Sequence, residues 1–139
     1  MTILNELSIE LKEICEIKDI HFDNFLTWIK EGISDEEIII YHIGTTSPIA
    51  VPDVLLAVLI VTDKYIHGFD INEEKIVNHG IHKIENFNYF FERIQDNIKH
   101  LFFNFKYGYQ NSLVLSDTEE RYHIFNKFVD DFLNLVWGE

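Results

Sequence analysis

The chain has 139 residues, 47% hydrophobic and 14% aromatic, with 24 acidic against 11 basic residues and a formal net charge of −13. So apolar a chain buries enough surface to offset its ordering entropy, which excludes a disordered segment, and its length suits a single domain, residues 1–139. The negative field repels nucleic-acid backbones and anionic lipid heads, so neither is an expected partner; a basic protein is not disfavoured, and the better reading is that the acidic surface keeps the chain soluble.

The N-terminal stretch MTILNELSIELKEICEIK carries acids throughout. It lacks the basic start and unbroken apolar core of a signal peptide. The longest apolar run, Val54 to Val61, is too short to cross a bilayer as a helix. A cytoplasmic protein is the expectation. Ile3, Leu4, Leu7, Leu11 and Ile14 recur at helical spacing. Cys15, the single cysteine, falls within this pattern, so it forms no intrachain disulfide and reads as a small buried side chain. A second helix starts from Asp19 as N-cap, presents Phe22, Phe25, Leu26 and Ile29 on one side, and stops at Gly32 as C′ residue. Residues 1–33 are thus a helical pair whose apolar stripes need a surface to cover.

The pattern then becomes extended. Ser34 and Glu37 have capping-box spacing, but three consecutive isoleucines in EEIIIYHIG favour a strand. The proline-bearing loop GTTSPIAVPD leads to VLLAVLIV, apolar on both faces as in a buried strand. Tight turns at TDK and INEE separate YIHGFD and KIVNHG. HKIENFNYFF follows with an imperfect alternation, read as a bulge near Glu85, and ERIQDN breaks the pattern. IKHLFFNFKY, the turn GYQN and SLVLS complete seven strands. Ser116 and Glu119 form a capping box ahead of a last helix. Its stripe, Tyr122, Phe125, Val129, Phe132 and Val136, broadened by Phe128 and Leu135, is core material that should close an open sheet.

Seven hairpin-connected strands and a C-terminal helix resemble the pleckstrin-homology-like arrangement. LIVTDKYIHGFD, with HKIENFNYF downstream and SDEEIIIYHIG as an opening strand, is similar to the bacterial pleckstrin-homology-like domains. The resemblance covers residues 34–139. It implies an α+β fold: a seven-stranded antiparallel barrel or sandwich capped by the C-terminal helix, with the N-terminal pair as an addition.

Chemistry is sparse. Many domains of this kind hold inositol phosphates through basic residues after the first strand; here that loop has none and ends in Asp53. Lys64, in the next turn, stands alone in sequence, so a phosphate ligand is not expected. Thr45, Thr46 and Ser47 are ordinary turn residues as readily as ligand donors. His67 and His79 can meet across a hairpin, while His79 and His82 should face opposite ways. Their spacing fits no standard zinc site. His42, His100 and His123 give weaker signals still. No nucleophile elbow or phosphate loop is present, and the adjacent pairs Glu36–Glu37, Glu73–Glu74 and Asp130–Asp131 read as solvated. No catalytic residue, cofactor or metal is expected.

The remaining feature is the crowd of aromatics on two neighbouring strands, Phe87 to Phe91 and Phe102 to Tyr109, which alternation divides between two faces. Either the N-terminal helices cover the second face, the favoured reading, or it is open to a partner. The expected function is a non-enzymatic binding module for a protein or peptide. Its groove lies between the fifth strand and the last helix, at Phe87, Tyr89, Phe91, Phe125 and Phe128. A homodimer is compatible with the sequence. The alternative is a small acidic inhibitor of immunity type, neutralising a basic partner; an enzyme on a lipid-cradling helix-grip fold is a third and weaker reading.

Overall fold

The computed structural model describes residues 2–18, 20, 22–33, 36–46, 54–72, 76–107 and 112–138. The described elements are α1 (Ile3–Lys18), α2 (Phe22–Ile33), β1 (Ile38–Gly44), β2 (Leu56–Thr62), β3 (Tyr65–Ile71), β4 (Ile76–Lys83), β5 (Phe87–Gln95), β6 (Ile98–Phe105), β7 (Ser112–Thr118) and α3 (Tyr122–Trp137). Short 3-10 turns precede β5 and α3. All pairing is antiparallel between consecutive strands, in a four-stranded sheet β1-β2-β3-β4 and a three-stranded sheet β5-β6-β7. The fold is therefore α+β, as expected, but the two sheets stack as a sandwich and do not close into a barrel.

β2 sits at the centre, and all seven of its residues are buried. Strand alternation sends Leu56, Val58 and Ile60 to one face and Ala57, Leu59 and Val61 to the other. The first face, with Ile43, Phe69 and Ile71, is covered by Leu7, Leu11 and Ile14 of α1 and Phe25, Ile29 and Ile33 of α2. The second meets Leu101, Phe103 and Phe105 of β6, Leu113 and Leu115 of β7, and Phe125, Phe128 and Phe132 of α3. α3 fills the space between the sheets. Phe125 stacks on His42 of β1 at 4.6 Å, and Phe132 packs edge-on against Phe87 of β5 and Phe103 of β6.

Four local expectations change. First, Gly32 does not end α2, which runs on to Ile33. A Cβ on Gly32 would stand 2.9 Å from His79 and 3.2 Å from Phe69, so glycine there allows the helix to approach the sheet. Asp19 and Ser34 lie outside the described residues. Second, the irregularity in β5 falls at Asn88, between Phe87 and Tyr89, and residues 84–86 form a 3-10 turn. Third, β5 continues through ERIQ to a tight hairpin at Asp96 and Asn97, both with positive φ, 54° and 63°. Two such residues are what a two-residue hairpin matching strand twist requires. ERIQ lacks an apolar face because β5 is an edge strand exposed along most of its length. Fourth, Ser116 is not a helix cap. It is a buried β7 residue whose hydroxyl meets His100 Nδ1 at 2.6 Å, and α3 starts six residues later with no side-chain cap.

Candidate functional site

The bulge at Asn88 decides what β5 offers. With one extra residue there, Phe87 pairs with Phe105 and Tyr89 with Asn104, so the two aromatics face opposite sides of the sheet. Phe87, Phe125 and Phe128 are buried in the core, where they pack the interior. Of the five expected ligand-groove residues only Tyr89 and Phe91 are exposed, 50% and 49%. They form a strip with Phe102 of β6: Tyr89 to Phe91 is 6.5 Å between ring centres, and Phe91 stacks on Phe102 at 4.6 Å. The five residues do not converge on one groove between β5 and α3.

The N-terminal helices do not cover this strip either. They lie on the far side of the other sheet, over β1 to β3. The second face of the aromatic strands is thus the open one, contrary to the favoured expectation. The strip runs beside the unpaired edge of β5, a nine-residue strand whose outer backbone groups have no ladder partner among the described strands.

Two buried polar networks lie elsewhere. In the first, Glu36 Oε1 accepts the Thr62 hydroxyl at 2.6 Å and meets His67 Nε2 at 2.8 Å, and His67 Nδ1 meets His79 Nε2 at 2.9 Å. The imidazole centres are 5.2 Å apart. That equals the nitrogen contact plus one ring radius at each end, so the nitrogens face each other along a line and share a proton. A metal held by both rings would sit off that line, away from the direction in which the two nitrogens face each other, so the arrangement suits a shared proton. Among the described residues no group of three His, Cys, Asp or Glu could hold a metal. With His67 Nε2–H donating to the carboxylate, His67 Nδ1 accepts from His79 Nε2–H and every contact is satisfied. Burial first, and then His67, push the His79 imidazole down to about 4, against a smaller upward pull from Glu36. Phe69 stacks on His79 at 4.1 Å and fixes its ring. Glu36 also lines an open cleft of about 680 Å³ between α1, α2 and β1, with Ile3, Leu4, Lys30 and Ile38. Both nitrogens of His67 are committed and the residue is 1% exposed, so His67 itself meets no solvent. His79 and His82 do face opposite ways, the latter stacked on Phe105 at 3.9 Å.

The second network closes the β1–β7 corner. Asp117, fully buried, receives His42 Nε2 at 2.8 Å, the Thr45 hydroxyl at 2.6 Å, Arg121 Nε at 2.9 Å and the Thr118 amide at 2.9 Å. Burial pushes its carboxyl upward, but the bonds from His42, Thr45 and Arg121 outweigh that and hold it below the usual carboxylate range. Arg121 also donates to the Ile43 carbonyl and lies 3.9 Å from Glu10 of α1. Burial, with Glu10 beside it, raises the Tyr41 phenol, while burial alone pushes the Cys15 thiol to about 11, so that thiol stays protonated. Sequence reading missed this corner because 75 residues separate His42 from Asp117. Ser47, Asp53, Glu73, Glu74 and Tyr109 lie outside the described residues.

Comparison of the chain with protein-family models, with curated proteins and with solved structures finds no match. Function therefore rests on the site geometry. No helix among the described residues is long and apolar enough to cross a membrane.

Proposed function

We propose that this chain is a non-enzymatic interaction module of pleckstrin-homology-like build that takes an extended peptide segment along the free edge of β5. The carrying observation is the Tyr89–Phe91–Phe102 strip, which no described residue covers, beside a strand edge unpaired among the described strands. A peptide added there gains main-chain hydrogen bonds from the edge and places alternate side chains over the aromatic strip. The net charge of −13 favours a partner segment carrying Lys or Arg, and Arg or Lys stacks on exposed aromatic faces. The same charge disfavours a second copy of the chain as occupant.

The test is a selection of displayed peptides on the purified chain, followed by calorimetry with the winners. The expected winners are extended, basic and apolar at alternate positions, and Phe91→Lys weakens them about tenfold or more, as loss of a central aromatic contact does. Winners indifferent to Phe91→Lys would refute the proposal. Concentration-dependent dimerisation abolished by the same substitution would put a homodimer there instead. An immunity-type inhibitor would select a folded basic protein and no isolated peptide.

A further inference from the structure

Lys64 is not the isolated cation that its place in the sequence suggests. The β2–β3 turn, the end of β4 and the end of β6 meet beside the C-terminus of α3, around an open groove of about 760 Å³. Lys64, Lys83 and Lys106 line it together with Trp137, Asp63 and Glu85. All three lysines are exposed, and the ion pairs of Lys and Arg among the described residues involve Lys99, Arg121 and Lys127 but none of these three. Asp63 is partly committed, since its carboxylate accepts the Glu37 amide at 3.0 Å and its own amide donates to the Glu37 carbonyl at 2.9 Å.

Trp137 supplies a second, independent feature. Its indole is 56% exposed, and its inner side is braced by the buried ring of Phe87, 5.3 Å away between ring centres. A large apolar ring held on one side and bare on the other is a platform for a flat group. The chain's overall negative charge does not cancel the local cations. At physiological ionic strength charges act over roughly 8 Å, so the groove responds to its own three lysines, set against the carboxylates of Asp63 and Glu85, more than to distant acids. Flexible ammonium groups are suited to phosphoryl oxygens as point charges.

We propose that this groove binds a small phosphorylated aromatic molecule of the nucleoside-phosphate class. Lys64, Lys83 and Lys106 contact the phosphoryl oxygens, and Trp137 stacks on the ring. This site shares no residue with the β5 strip and stands or falls separately from the peptide reading.

Isothermal titration of the full chain with ADP, pyrophosphate and adenosine tests it. ADP should bind at least tenfold more tightly than either fragment, because each fragment lacks one of the two contacts. Lys83→Gln with Lys106→Gln should weaken ADP about tenfold or more with the melting temperature unchanged, because both lysines are exposed, and Trp137→Ala should weaken it about tenfold. Absence of ADP binding at millimolar concentration overturns the proposal. So does ADP binding that survives the double lysine substitution, or pyrophosphate binding as tightly as ADP.

Discussion

Asp117 is the residue on which the β1–β7 corner turns. It is a fully buried carboxylate meeting an imidazole, a hydroxyl, a guanidinium and an amide, so removing its charge strands Arg121 and His42. Asp117→Ala should cost about 3–5 kcal/mol, as breaking one side of a buried pair does, read from urea midpoints at pH 7. Its depressed pKa means that its stabilisation is present above the ordinary carboxylate range and is lost as pH falls through the folded value. His79 acts in the same direction by another route. Its folded pKa of about 4 lies below the ordinary 6.5, so the unfolded chain takes up its proton first. Stability should then fall as pH drops from about 6.5 to about 4, by about 1–2 kcal/mol once solvent screening is discounted. In His79→Gln, urea midpoints measured across that window should change less with pH than in the parent; an equal change would contradict the neutral-histidine chain.

At the scale of elements, α2 and α3 make opposite demands. α3 works by bulk: Phe132 touches Phe87, Phe103 and Phe128, and Phe132→Ala should cost about 3–5 kcal/mol. α2 works by absence of bulk at Gly32. Alanine is favoured over glycine in a helix by about 1 kcal/mol, yet here its Cβ would meet a His79 ring pinned by Phe69 and His67. Gly32→Ala should therefore destabilise the protein by about 1–2 kcal/mol, as overpacking does. A thermal melt shifted upward would show that the helix does not press on that ring. The two elements also differ in how openly the sequence announces them. The α3 stripe is readable because aromatic spacing over four turns admits one period. Gly32 reads equally well as a helix end, and only the ring of Phe69, far along the chain, shows otherwise.

At the scale of the molecule, the seven strands and three helices among the described residues follow from local patterning, while the decisive placements are long-range. Phe87, Tyr89, Phe90 and Phe91 fit the inside of a strand in either phase, so residue type alone does not locate the bulge at Asn88. The helical pair has an apolar stripe that would suit either sheet, and nothing local assigns it to β1–β3. Lys64, Lys83 and Lys106 come together only because three turns share one end of the sandwich. Among the described residues these placements leave β5 with an unpaired edge and an exposed aromatic face. The most direct measurement is amide hydrogen exchange of the chain with and without a selected basic peptide. Added protection concentrated in residues 87–95, with α1 and α2 unchanged, is the predicted result. Protection appearing instead along α1, α2 and the Glu36 cleft would contradict the assignment of β5 as the partner surface.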